Sequence, residues 1–177
     1  MEDSSTTDAT LDLYRSLRAE GHDGVGIVLQ AALRRTLDDI AALSDLRPSV
    51  RLCKGIYVEP SAIAFQEPDV IRKSYVACLD ALLAAGCRVG VATHDEWLLE
   101  RTLERVEGLT ADEYELQMLL GVRAGRGREL AAAGHPLRVY VPYGRQWYEY
   151  SLRRLQENPR VAGYVAHDIV GRLVPGR

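Results

Sequence analysis

The sequence predicts an α/β fold built on a parallel sheet, and three observations predict it. Short apolar runs alternate with longer amphipathic stretches along the chain. The runs are rich in Val, Ile and Leu with little polar alternation, as strands covered on both faces are. Gly or Pro stands at the end of most amphipathic stretches, where helices stop.

The elements follow in order. STTDATLDLYRSLRAEG (5–21) reads as a capped helix with Leu11, Leu13, Tyr14 and Leu17 on one side and Gly21 at its end. GVGIVLQ (24–30) is the first strand, and AALRRTLDDIAALSDL (31–46) reads as an amphipathic helix. VRLCK (50–54) is the second strand, followed by a long helix over 69–86 that stops at Gly86. RVGVAT (88–93) is strand and DEWLLERTLERVEG (95–108) helix. YELQML (114–119) is strand, 123–134 a weak helix, and LRVYVPYG (137–144) strand then turn. A last helix over 146–159 ends at Pro159. No linker, repeat or low-complexity segment divides the chain, so 1–177 reads as one domain.

Composition narrows the function classes. With 177 residues, 47% of them hydrophobic, the chain can bury a core. A net charge of -3 and no basic stripe argue against a nucleic-acid partner. Cys53, Cys78 and Cys87 sit in apolar contexts without metal-ligand spacing, which reads as buried thiols in a reducing compartment. The acidic, polar start MEDSSTTDAT is unlike a signal peptide, and no apolar run approaches the roughly 20 residues of a membrane span. The expectation is a soluble cytoplasmic protein with no bound metal.

Polar residues gather at the C-terminal ends of the predicted strands: Gln30, Lys54, Thr93 with His94 and Asp95, Gln117, and Tyr140 to Tyr143. In parallel α/β proteins that edge is where active sites are built. Arg51 shares a strand face with Cys53, and Lys54 shares the other with Leu52. A guanidinium on a central strand needs a partner, either a carboxylate or an anionic ligand. Gly55 directly afterwards lets a ligand approach the backbone. In THDE (93–96), Thr93 or Asp95 is placed to cap the following helix, whose exposed N–H groups also suit phosphate. His94 has no Cys or His at ligand spacing. Arg153 and Arg154 suit the negative end of their helix as plain solvated cations, and that reading stands unless a carboxylate ligand is implied. The glycines of Gly125 to Arg128 do not follow a dinucleotide pattern and carry no nucleotide role.

Seven segments in order resemble the proline dehydrogenase family, specifically its bacterial monofunctional branch, from residue 1 to about residue 165. They are MEDSSTTDATLDLYRSL, GIVLQAALRRT, VRLCKGIYVEP, ATHDE, YELQMLLGV, LRVYVPYG and WYEYSLRRLQENP. The resemblance implies a distorted (β/α)8 TIM barrel, of which this chain would be the C-terminal five-eighths. It implies FAD as cofactor, oxidation of L-proline to 1-pyrroline-5-carboxylate, and transfer of electrons to a quinone. That acceptor implies a cytoplasmic enzyme peripheral to the inner face of the membrane. By the resemblance, Arg51 is catalytic and lies beside the flavin N5. Met1, Gln30, Lys54, Gly55, Ile56, Thr93 and His94 would hold the cofactor. Arg153 and Arg154 would clamp the proline carboxylate, which reverses their plain reading, and Tyr140, Tyr150 and Glu157 would line the proline pocket.

The match departs from the family pattern at the front. The family's aspartate before Met-Glu-Asp, part of its catalytic site, has no counterpart before Met1, nor does an upstream lysine that meets the proline carboxylate. Leu116 stands where the family usually has Phe. A complete barrel takes about 250 residues. The expectation is an N-terminally truncated domain, from a misplaced start, a gene fragment or a split gene. Its apolar edges near 24–30 and 137–141 would make it marginal alone, soluble as an oligomer or with its N-terminal half. Two other readings compete with the flavoenzyme: a lyase that forms a Schiff base on Lys54, and an inactive barrel fragment.

Overall fold

The computed structural model describes residues 3–145 and Gly163. A 3₁₀ turn (Ser4–Thr6) leads into α1 (Thr7–Ala19), β1 (Gly26–Gln30) and α2 (Thr36–Leu43), which a second 3₁₀ turn (Ser44–Leu46) extends. Then come β2 (Ser49–Cys53), α3 (Pro68–Ala84), β3 (Arg88–Ala92), α4 (Glu96–Arg105), β4 (Tyr114–Leu119), α5 (Ala124–Ala132) and β5 (Leu137–Tyr140). The strands form one sheet in the order β1-β2-β3-β4-β5. Pairing is parallel for β1–β2, β2–β3 and β4–β5, the α/β arrangement expected. The helix expected over 146–159 lies outside the described residues.

The chain divides into two compact units, Met1–Glu115 and Leu116–Arg177. In the first, the core side of the sheet is Ile27, Leu29, Val50, Leu52, Val89 and Val91, all buried. Helix α3 covers it with a stripe of Tyr75, Cys78, Leu79 and Leu82, spaced three and four apart as one helical face requires. The Tyr75 hydroxyl donates to the Leu52 carbonyl at 2.9 Å, which satisfies the one polar atom of a fully buried ring. The Ser74 hydroxyl donates to the Ala31 carbonyl at 2.7 Å, so consecutive residues pin α3 to two strand ends. At the opposite end of the strands, Arg88 pairs with buried Glu115 at 2.8 Å.

Two expectations are corrected here. The helix expected over 31–46 is helical only from Thr36. Ala31 and Ala32 instead donate to the Cys53 and Lys54 carbonyls at 2.8 and 2.7 Å, which continues the β1–β2 ladder. Leu33 then bridges Ala64, and the Thr36 hydroxyl bonds the Gln30 carbonyl. Tertiary pairing overrides the helix propensity of the two alanines. In α1, Leu11 and Tyr14 are buried but Leu13 is 60% exposed, because two residues on from Leu11 is the far side of a helix.

In the second unit, β4 and β5 pair from Leu116↔Leu137 to Leu119↔Tyr140. Gly127 belongs to α5, where a Cβ would stand 3.5 Å from both Leu137 and Met118, so this glycine lets the helix pack closely, whereas Gly125 has nothing within 4 Å. Three of the four β5 residues are exposed, as expected of a terminal strand.

Candidate functional site

Register decides which side chains meet. Parallel pairing puts Val28, Arg51 and Gly90 in one row across β1, β2 and β3, and Gln30, Cys53 and Ala92 in the next. These rows lie on the face opposite the buried aliphatics, because alternate residues of a strand face opposite ways. Most of this face is half-buried rather than sealed. On β3 the partners of Arg51 and Cys53 are the small residues Gly90 and Ala92. Arg51, Gln30 and Cys53 thus share one face of the sheet, running toward the strand ends where parallel sheets bind ligands.

Gln30, the last residue of β1, is 7% exposed, yet its Nε2 amide has no hydrogen-bond partner. A buried donor left unmatched costs about 1–3 kcal/mol. It is the kind of group that a bound heteroatom would satisfy. Gly55 closes in beside it with φ +101°, where L side chains are strained. A Cβ there would stand 3.1 Å from the Ala32 Cβ and 3.2 Å from the Gln30 Oε1. Glycine is what lets the chain turn tightly past the Gln30 amide. Cys53 donates to the Leu29 carbonyl at 3.6 Å. Burial pushes its thiol up and the Arg51 charge pulls the other way without prevailing.

Past the ends of β2 and β3, three charges converge. The Asp95 side chain is 6% exposed and lies 3.0 Å from Lys54 Nζ and 2.9 Å from Arg72 Nε. Arg72 adds a second bond through Nη2 at 3.2 Å and turns Nη1 to Asp69 at 3.1 Å. Burial would raise the Asp95 carboxyl, but the Arg72 and Lys54 hydrogen bonds outweigh it and hold it below the usual carboxylate range. Asp95 is the N-cap residue of α4 by position, yet its side chain caps nothing, contrary to one expectation. Two cations outbid a backbone N–H for the carboxylate. Thr93 accepts from the Asp95 N–H at 3.1 Å instead.

Among the site residues named from sequence, Gln30, Lys54, Gly55, Ile56, Thr93 and His94 lie at or just past the ends of β1, β2 and β3, and Arg51 lies in the middle of β2. Tyr140 ends β5 in the other unit and is 45% exposed. Met1, Tyr150, Arg153, Arg154 and Glu157 lie outside the described residues. Sequence reasoning missed Arg72. Its signal was available: it precedes Tyr75 by three and Leu79 by seven, so it extends the buried stripe of α3 toward the strand ends. It also missed a tether from the start of the chain. The Glu59 carboxylate accepts from the Ser4 N–H and hydroxyl at 2.7 and 2.8 Å, which holds the loop that begins at Gly55.

Comparison with known proteins supplies the family. The proline dehydrogenase family model matches residues 1–167. The chain belongs to the proline dehydrogenase family. It is 42% identical over 173 residues to the proline dehydrogenase of Deinococcus radiodurans, covering 96% of this chain and 56% of that protein. It is 38% identical over 172 residues to proline dehydrogenase 1 of Bacillus subtilis (strain 168), with 96% and 57% covered. The chain thus spans a little over half the length of these curated relatives. Among solved structures, proline utilization A (PutA) with proline bound in remote sites superimposes with a TM-score of 0.79 at 28% identity. That match covers 95% of this chain and 20% of the other. PutA from Bdellovibrio bacteriovorus inactivated by N-propargylglycine gives a TM-score of 0.78 at 25% identity, covering 88% of this chain and 19% of that one. The family's parallel α/β fold is therefore the fold of this chain.

Proposed function

We propose that this chain carries the flavin-binding strand ends of an enzyme that oxidises L-proline to 1-pyrroline-5-carboxylate, with FAD as cofactor and a quinone as final acceptor. The observation that carries the reading is the unmatched Gln30 amide, on the same sheet face as Arg51 and one row from it. A planar, heteroatom-rich ring fits that face. FAD, when bound, supplies the acceptor for the hydride that leaves the proline ring carbon next to nitrogen. The nitrogen loses a proton, so proline gives up two electrons and two protons in all.

The chain's own residues then divide the work. Gln30 donates its free N–H to a ring acceptor and fixes the ring in its plane. Arg51 holds positive charge on the same face, where added electron density is favoured. Gly55 keeps its backbone close, with Ile56 beyond it. Lys54, Thr93 and His94 face the phosphate and nucleoside end. Tyr140, Tyr150 and Glu157 line the proline pocket, and Arg153 with Arg154 fork onto the proline carboxylate. Met1 contributes backbone to the flavin site. With a quinone as acceptor, the enzyme works at the cytoplasmic face of a membrane. No described helix is long and apolar enough to cross one.

The Schiff-base reading of Lys54 needs its nitrogen free to attack a carbonyl, whereas that nitrogen is held 3.0 Å from buried Asp95. The test of the main reading is an absorption spectrum of the chain mixed with FAD and desalted, then repeated anaerobically with L-proline. A retained flavin band that bleaches with proline is expected of the enzyme. A chain that retains no flavin overturns the cofactor assignment for these residues.

A further inference from the structure

Among the described residues, the convergence of Lys54, Asp95 and Arg72 is the densest charge arrangement at the strand ends, and its accounting is uneven. Arg72 commits Nε and Nη2 to Asp95 and Nη1 to Asp69. Its side chain is 29% exposed and its ring-side neighbour is Trp97, 6.0 Å away. Lys54 spends one ammonium N–H on Asp95 and is 33% exposed. An ammonium has three N–H groups, so two remain for another acceptor. Among the described residues, Asp95, nearly buried, forms ion pairs with both cations. Asp69 is 82% exposed and its charge is screened by water, so in the buried part of the cluster one carboxylate lies between two cations and a positive charge is left over. Because Arg72 grips Asp95 with two bonds, the surplus falls on Lys54.

We propose that Arg72 and Asp95 are positioning residues for recognition of a phosphate or diphosphate group at the end of β2. Asp95 anchors the Lys54 ammonium in place, and Arg72 takes up the Asp95 charge so that Lys54 keeps its own for the ligand. Neither Arg72 nor Asp95 touches the anion. The two halves of the device oppose each other: Asp95 without Arg72 would neutralise Lys54, and Arg72 without Asp95 would leave Lys54 unanchored. Taking the anion to be the diphosphate of a flavin dinucleotide rests on the function proposed above. The electrostatic device itself does not.

The test measures dissociation constants of the chain for FAD, riboflavin and inorganic pyrophosphate, in the wild type, Arg72→Gln, Arg72→Lys and the double variant Arg72→Gln/Asp95→Asn. Thermal melting of each variant checks folding. Loss of one unit of charge close to the anion predicts that Arg72→Gln weakens FAD and pyrophosphate about tenfold. Riboflavin, which has no phosphate, stays within about twofold on the same argument. Arg72→Lys keeps most of the affinity. The double variant restores the net charge and recovers FAD to within about threefold of the wild type. The inference is overturned if Arg72→Gln leaves FAD and pyrophosphate unchanged, if riboflavin weakens equally, or if the double variant falls further. It is also overturned if the wild type binds neither FAD nor pyrophosphate. A wild type that binds pyrophosphate in an Arg72-dependent way but takes no flavin upholds the device and sinks the flavin reading alone.

Discussion

Replacing Gly55 by alanine tests the geometry of the strand-end site with one methyl group. Gly55 has φ +101°, and its Cβ would meet the Ala32 Cβ at 3.1 Å and the Gln30 Oε1 at 3.2 Å. The backbone strain alone costs about 1–2 kcal/mol. Overpacking adds about 1 kcal/mol or more, because the Ala32 side is held by the ladder and cannot retreat freely. The total is about 2–4 kcal/mol, or a fall in Tm of roughly 5–15 °C for a chain of this size. Gly21 provides the control, with φ +87° and nothing within 4 Å of its Cβ. Gly21→Ala therefore pays the strain without the contact, about 1–2 kcal/mol. Urea denaturation of both variants gives the difference directly. If Gly55→Ala costs no more than Gly21→Ala, Gly55 is not needed for its close approach to Gln30, and the cradle argument fails.

Three further outcomes are expected. Gln30→Met removes the unmatched buried donor, so the chain without cofactor should gain up to about 1 kcal/mol in urea denaturation while its flavin affinity drops; a loss of stability would mean the amide is already satisfied. Tyr75→Phe deletes the 2.9 Å bond to the Leu52 carbonyl and should cost about 1 kcal/mol, and a neutral result would show that the carbonyl finds another donor. The Asp95 carboxyl is held below its usual 3.8, so the stability it contributes is fully present above that value and is lost as pH falls through its lower folded value. Denaturation between neutral and acidic pH should therefore show a shallower acid loss for Asp95→Asn than for the wild type; parallel curves would mean the carboxyl is unperturbed.

The strand pattern was legible in sequence because both faces of the core strands obey simple rules. YELQML is strand over the same six residues, and the other strands shift by no more than a residue or two. The helix at 31–46 was misread because alanine's local preference carries no information about Cys53 and Lys54, which supply the ladder that Ala31 and Ala32 continue. The strand-end rim was legible because parallel sheets collect polar residues where the chain leaves the core. Its wiring was not. Asp95 looked like a helix cap because capping is a local property, whereas Arg72 and Lys54 lie 23 and 41 residues away in sequence. The small residues Gly90 and Ala92 were legible as strand, but only register shows them beside Arg51 and Cys53.

The pairing order bears on how the chain folds during synthesis. Each described partner pair joins strands adjacent in sequence: Gly26 meets Ser49, Ser49 meets Arg88, and Leu116 meets Leu137. Closing a chain loop costs only about 0.6 kcal/mol more for each doubling of its length, so these pairings differ little in entropic cost. A ribosome adds roughly 5–20 residues per second, so each new strand emerges within seconds of the one it joins. The first unit can therefore grow by accretion on an existing edge. Until the next strand arrives, that edge is bare, and a pause in translation lengthens the time it spends exposed to other nascent chains.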